Sequence, residues 1–244
     1  MKTLLITGSE GGIGEALCRN FKGHGFKVIG LDLERRSADL DVFVPCDLKR
    51  LCEEETYRTD VLSELRNHCE ADCLQVLINN AAVQILKPME RLQAADWTRT
   101  LNINVIAPFL LAQGLLPCLE ADSGSVINIA SVHAHATKPG FVCYATSKAA
   151  LVGLTKAMAV DLGPRVRVNA ICPAATATPM LQAGFADNPT ALAQLSFMHP
   201  RGRIALPAEI ADIAFFLASP QADFLTGTIL YADGGICARL HDPL

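Results

Sequence analysis

Three side chains in the middle of the chain have the types and spacing for proton transfer: Ser131, Tyr144 thirteen positions on, and Lys148 four beyond that. Tyr and Lys at i and i+4 share one helical face. A free phenol titrates at about 10 and is a poor base at neutral pH. A neighbouring ammonium stabilises the phenolate and lowers that pKa. Tyr144 beside Lys148 is therefore expected to exchange protons near neutrality, as a general acid–base must. Ser131 is placed to donate a hydrogen bond to a substrate oxygen. A Tyr-x-x-x-Lys pair is also what an ordinary amphipathic helix with a solvated lysine presents, so its meaning depends on a nucleotide site earlier in the chain.

The flanking segments are of the kind that position such a site. Val126, Ile127, Ile129 and Ala130 form a short apolar run suited to a buried parallel strand, and the Tyr144 segment is helical. At the N-terminus, Thr3–Thr7 reads as a buried strand. A turn rich in Gly8, Gly11, Gly12 and Gly14 follows, then a helical pattern through Ala16, Leu17 and Phe21. Strand, glycine turn and helix make a phosphate cradle: the backbone approaches closely and the helix N-terminus offers free N–H groups. Val28–Leu31 is a second strand, and Asp32 at its end can accept hydrogen bonds from ribose hydroxyls while repelling a 2′-phosphate. Val42–Val44, Leu74–Ile78 and residues 165–171 read as further strands. Residues 49–72 read as a solvated outer helix. Residues 97–119 read as a helix with Trp97, Leu101, Val105 and Leu111 apolar and a local distortion at Pro108.

Taken together, Ser131 with Tyr144-x-x-x-Lys148, the turn Thr7-Gly8-x-x-x-Gly12-x-Gly14, Asn79-Asn80-Ala81-Ala82 and the Asn104-centred segment resemble the motifs of the short-chain dehydrogenases/reductases. The segment 225–235 resembles that family's last strand. The resemblance spans nearly the whole chain and implies one domain over 1–244. The fold implied is an α/β, Rossmann-type doubly wound parallel sheet of about seven strands with helices on both faces. It implies that Gly8, Glu10, Gly11, Gly12 and Ile13 cradle a cofactor, that Asp32 meets its ribose, and that Asp47 and Leu48 meet its adenine. Asn80 and Ala81 would pass close to it, Tyr144 and Lys148 would hold the nicotinamide ribose, and the Thr176 backbone and Thr178 hydroxyl would bind the carboxamide. Asn104 would hold a water connecting Lys148 to solvent. Ala82 and Ala174 replace glycines usual in the family. Members that prefer NADP place a basic residue in the glycine turn or just after the second strand. Here Gly11 and Leu33 stand at those positions, with Arg35 and Arg36 following, so NAD is expected over NADP.

The implied activity is hydride transfer between NAD and a secondary alcohol or ketone. An NADPH-dependent ketone or 3-oxoacyl reductase is the alternative within that class. A non-catalytic NAD-binding regulatory module and a nucleotide-sugar epimerase or dehydratase are the alternatives outside it. Val83, Gln84, His133, Phe141, Met180 and Phe185 are the pocket residues implied, with His133 and His135 either binding a polar group or packing. A sugar or polyol, a cyclic alcohol, a hydroxy acid and an acyl thioester all stay open. Residues 180–203, with Gly184, Asn188-Pro189 and His199-Pro200, look like a poorly periodic, mobile lid over the substrate. The resemblance also implies a homotetramer with interfaces around 97–119 and 144–162.

Composition narrows the field. Of 244 residues half are hydrophobic and 6% aromatic, which suits a buried sheet under helices. A net charge of −4 without a basic stripe points away from nucleic acid and anionic membranes. No stretch reaches the roughly eighteen apolar residues of a membrane span. Met1 leads directly into a strand without a signal-peptide pattern, so a cytoplasmic protein is expected. The nine cysteines show no disulfide framework, and Cys69-x-x-x-Cys73 lacks a second pair, so no metal site is expected. Cys143, beside Tyr144, reads as a packing residue.

Overall fold

The protein is described by a computed structural model covering residues 1–36, 38–69, 73–185 and 189–240. Seven strands form one parallel sheet: β1 (Thr3–Thr7), β2 (Lys27–Asp32), β3 (Val42–Pro45), β4 (Val76–Asn79), β5 (Ser125–Ile129), β6 (Arg167–Pro173) and β7 (Ile229–Ala232). Their spatial order is β3-β2-β1-β4-β5-β6-β7. Chain progression therefore reverses beside β1, which pairs with both β2 and β4. In such sheets a crevice opens outside the carboxyl ends of the strands at the reversal.

The strands are apolar on both faces because both faces are covered. Leu4 and Ile6 of β1 pack on one side with Leu17 and Phe21 of α1 (Gly12–Gly23) and Ile210 and Leu217 of α10 (Pro207–Ala218). Leu5 points the other way. It joins Leu65 of α3 (Glu55–His68), Leu111 of α5 (Ala107–Gly114) and Leu162 of α7 (Val142–Leu162). Each such fully buried side chain stabilises the fold by about 1.5–3 kcal/mol. Across the first face, α1 and α10 are locked by an edge-to-face Phe21–Phe215 pair at 5.4 Å and by Asn20 Nδ2 donating to Asp212 Oδ1 at 2.7 Å.

Three segments differ from expectation. The outer helix is broken into α2 (Leu48–Glu53) and α3 by Glu54, whose backbone is extended. The Asp47 carboxylate caps α2, and Glu54 is gripped by Arg50 through two contacts. The break lets Leu51 of α2 and Val61 and Leu65 of α3 reach the same core. Residues 70–72 lie outside the described residues. The helix expected over 97–119 is α4 (Ala94–Leu101), a π-helical turn (Asn102–Ile106), α5 and α6 (Leu116–Glu120). The distortion follows from Pro108, which has no N–H for the carbonyl four residues back, that of Asn104, and whose ring crowds it. The segment 180–203 holds α8 (Pro179–Gly184) and α9 (Pro189–Met198), each opening on a proline, as suits a first helical turn. Residues 186–188, Asn188 among them, lie outside the described residues.

The glycine turn tolerates no side chain at Gly14, where an added Cβ would lie 2.0 Å from the Gly8 carbonyl oxygen. Gly14→Ala is expected to cost about 2–3 kcal/mol and to lower Tm by roughly 5–10 °C in a chain of this length. A thermal melt unchanged from wild type would contradict that packing.

Candidate active site

One large cleft, of about 1460 Å³, runs over the carboxyl ends of the strands. One half of it is built by the β1–α1 turn. Gly8 has φ +67°, and an added Cβ would meet the Ala81 backbone at 2.8 Å. The Asn80 amide donates to the carbonyls of Thr7 and Gly8, and Thr7 Oγ1 accepts from the Asn80 and Ala81 N–H groups. The segment after β4 thus clamps the glycine turn from beside it. An added Cβ on Gly12 would collide with Thr178 and Pro179, so the turn's other flank is the start of α8. Asp32 closes this half: its Oδ2 accepts from Glu10 N at 3.0 Å and its Oδ1 from Leu33 N at 2.8 Å.

The other half holds Ser131, Tyr144 and Lys148. Ser131 follows β5 and accepts from His133 N at 3.2 Å. Tyr144 lies in the first turn of α7, half-buried, and lines the same cleft as Ser131. Lys148, one turn later, is 2% exposed. Its Nζ lies 5.7 Å from the Tyr144 ring centroid and donates to the Ile129 carbonyl at 2.7 Å. Burial governs both groups. It pushes the Tyr144 phenol up to about 12, against the lowering influence of Ser131. It pushes the Lys148 ammonium down to about 8. The expected depression of the phenol by its lysine is thus not what this site shows, because the ammonium is directed at the Ile129 carbonyl and desolvation outweighs the neighbouring charge.

The fourteen residues expected at the cofactor all line this cleft: Gly8, Glu10, Gly11, Gly12, Ile13, Asp32, Asp47, Leu48, Asn80, Ala81, Tyr144, Lys148, Thr176 and Thr178. Of the substrate set, Val83, Gln84, His133, Phe141 and Phe185 line it too. His133 stacks on Phe141 with centroids 4.3 Å apart and bonds Thr137. Burial, reinforced by Lys138, lowers its pKa to about 4, so the ring is neutral at physiological pH. His135 stands apart, against Tyr231, and the side chain of Met180 lies outside the described residues.

Asn104 is in the π turn behind the cleft wall, 1% exposed. Its Oδ1 accepts from Val83 N at 2.8 Å, and its Nδ2 donates to Val83 O at 3.0 Å and Ser147 Oγ at 2.9 Å. The side chain therefore braces the Val83 segment against α7.

A family model described as enoyl-(acyl carrier protein) reductase matches residues 8–237. The chain belongs to the short-chain dehydrogenase/reductase family. Among its relatives, 3beta-hydroxysteroid dehydrogenase 1 of Eggerthella lenta is 33% identical over 254 residues, covering 96% of this chain and 93% of the relative. The ligand-free aldohexose dehydrogenase of Thermoplasma acidophilum superposes with a TM-score of 0.90 at 30% identity, covering 100% of this chain and 96% of the other. A structure of 4-hydroxyisoleucine dehydrogenase with NADH gives 0.86 at 29% identity, covering 98% and 100%.

As a short-chain dehydrogenase/reductase, the protein is an NAD(P)-dependent oxidoreductase acting on a CH–OH group. Its residues fit a dinucleotide. The turn is closed to side chains at Gly8, Gly12 and Gly14, so its backbone is bare toward the cleft, and α1 begins there with the N-terminal N–H groups that favour a pyrophosphate. Several contributors were not singled out by sequence. Ser147 lies inside the Tyr144–Lys148 stretch, yet only the fold brings it to Asn104. Ile236 and Cys237 line the cleft from beyond β7, and Leu195 from α9. They come from segments whose sequence carries no recognisable spacing.

Lys148 leaves a thermodynamic signature. An unfolded lysine keeps its proton up to about pH 10.5, while the folded one releases it near 8. Between those values the unfolded state binds more protons, so stability rises with pH; below 8 the burial penalty is present in full. Lys148→Met should therefore raise the Tm of the cofactor-free protein relative to wild type below pH 8, by an amount on the order of 2–3 kcal/mol. That advantage should shrink toward pH 10.5. Calorimetry across pH 7–10 would read the trend, and a difference independent of pH would exclude a depressed lysine.

Proposed function

We propose that this enzyme transfers a hydride between NAD and a small secondary alcohol or ketone, with Ser131, Tyr144, Lys148 and Asn104 as its catalytic set. The observation that carries the reading is that Ser131, Tyr144 and the buried Lys148 line the same cleft as the glycine turn. When bound, the nicotinamide accepts or delivers the hydride at the substrate carbon. Ser131 and Tyr144 hold the substrate oxygen between two hydroxyls. Toward a carbonyl, Tyr144 donates its proton as the oxygen becomes an alkoxide. Toward an alcohol, Tyr144 takes the hydroxyl proton. Lys148 binds the cofactor's ribose and supplies positive charge beneath the phenol. Pro108 deprives the Asn104 carbonyl of its helical donor, and this supports Asn104 as the holder of a water linking Lys148 to solvent. The neutral His133 ring and Phe141 form a flat, mostly apolar wall for the substrate.

Asp32, with no basic residue in the glycine turn, supports NAD. The second reading, an NADPH-dependent ketone or 3-oxoacyl reductase, is favoured by Arg36, which lines the cleft near Asp32. We take residues 1–244 as one domain, α8 and α9 as the substrate lid, and the protein as cytoplasmic. A homotetramer with the 97–119 and 144–162 segments at its interfaces is supported by the exposure there of Ile106, Phe109 and Val160, the last 84% exposed. Among the described residues no helix is long and apolar enough to cross a membrane.

The test is reduced-nicotinamide absorbance with NAD or NADP and a panel of secondary alcohols, sugars and hydroxy acids. Tyr144→Phe should lower kcat/KM by about 10³-fold or more, and Ser131→Ala by about 10²-fold, the range expected for lost proton transfer and lost oxyanion support. NAD should still bind to Tyr144→Phe. A Tyr144→Phe enzyme with near-normal turnover would refute the assignment.

A further inference from the structure

We propose that Lys138 selects the substrate, and that the substrate is an acid: a secondary alcohol, or its ketone, carrying a carboxylate across an apolar spacer. The proposal rests on the reading of the cleft as an alcohol–ketone site and names what enters it.

The wall beside Tyr144 ends in a cation. Tyr144 stands edge-on to His133, with centroids 5.8 Å apart, and to Phe141, at 6.1 Å. Those two rings stack on each other, and the Lys138 ammonium lies over the Phe141 ring, 4.9 Å from its centroid. Two steps of 6.1 Å and 4.9 Å, at most laid end to end, thus separate the Tyr144 ring from a positive charge. All four side chains line the cleft. The charge reaches into the site, since after burial it is what lowers the His133 pKa.

This ammonium is uncommitted. Lys138 is exposed and makes no ion pair among the described residues. A cation over an aromatic face keeps its three N–H donors for another partner. Lys87 differs: its N–H donates to the Gly140 carbonyl at 3.2 Å, while its ammonium is held by both Asp96 oxygens at 2.8 Å. The backbone contact anchors the turn after Lys138, where Gly140 has φ +85°.

Charge elsewhere in the cleft agrees. Its carboxylates, Glu10, Asp32 and Asp47, belong to the glycine turn, the end of β2 and the start of α2. Among the described residues, every lining residue from Asn80 onward is neutral or cationic. A carboxylate held beside Tyr144 therefore meets no acid and one free ammonium. Between the two lies the neutral His133–Phe141 stack, whose flat face suits an apolar spacer such as a ring.

The experiment follows reduced-nicotinamide absorbance with NAD or NADP and three probes: 4-hydroxycyclohexanecarboxylate, its methyl ester and cyclohexanol. Acid and ester share a shape and differ in charge. Wild type should favour the acid over the ester in kcat/KM by about tenfold or more, the range for a hydrogen bond to a charged group. K138Q should erase that preference and K138E should invert it, while K138R, which keeps the charge, should retain it. The loss should fall on the KM of the acid and not on its kcat, because the carboxylate is unchanged as the hydride moves. A wild type that turns over the ester as well as the acid would overturn the substrate class and leave the alcohol–ketone reading standing. A preference for the acid that survives K138Q and K138E would overturn the role of Lys138. No turnover of any of the three with either cofactor would overturn the reading and the inference together.

Discussion

The site depends on one buried contact, the Lys148 ammonium donating to the Ile129 carbonyl at 2.7 Å. It ties α7 to the carboxyl end of β5, the strand that leads to Ser131. With that distance set, Tyr144, one turn earlier on α7, lines the same cleft as Ser131. The contact is made against the solvent's preference. An ammonium 2% exposed loses most of its hydration, and one carbonyl does not restore it. The fold therefore carries a local cost at the centre of its chemistry, as functional sites often do. The remainder of the sheet and its two helical layers supply the stability that keeps the lysine in place.

Around that contact runs a chain of buried, hydrogen-bonded polar side chains. Asn79 Nδ2 donates to Asn128 Oδ1 at 2.8 Å, Asn128 Nδ2 to Thr155 Oγ1 at 2.9 Å, and Thr155 Oγ1 to the Leu151 carbonyl at 2.8 Å. The chain crosses from β4 to β5 to α7. A buried polar group without a partner is expensive, so a network in which each link is met holds register tightly. The Asn104 amide makes a parallel brace from the π turn to the Val83 backbone and to Ser147 of the same helix. Both braces converge on α7, on which Tyr144 and Lys148 sit. The glycine-turn half of the cleft is held separately, by Asn80 on the glycine turn and by the Asp32–Glu10 link.

Much of this was legible in sequence because the strands are short, apolar runs and the glycine turn has a spacing that backbone sterics demand. β1 was read to the residue, and every residue assigned to the cofactor lines one cleft. The parts that were not legible depend on tertiary context. The break at Glu54 arises from local backbone competition and a cap within a stretch of even helical character, whereas the distortion at Asn102–Ile106 is the one that Pro108 led the sequence to expect. Residues 180–203 hold two helices where weak periodicity suggested irregular chain, because apolar residues there, such as Leu181 and Leu195, face a cleft rather than a core. Burial raises the Tyr144 phenol, opposite to the direction the sequence argument gives. Spacing placed a cation near the phenol, whereas burial, which spacing cannot reveal, dominates both groups.

The most direct test is the titration of Lys148 itself. Lysine labelled at the ε-carbon, with Lys148→Met to assign the signal, allows its pKa to be followed by NMR in the cofactor-free protein. A midpoint near 8 is predicted for an ammonium buried at the end of β5. A midpoint at the ordinary lysine value of about 10.5 would mean that solvent reaches this group. The contact on which the site is built would then be absent.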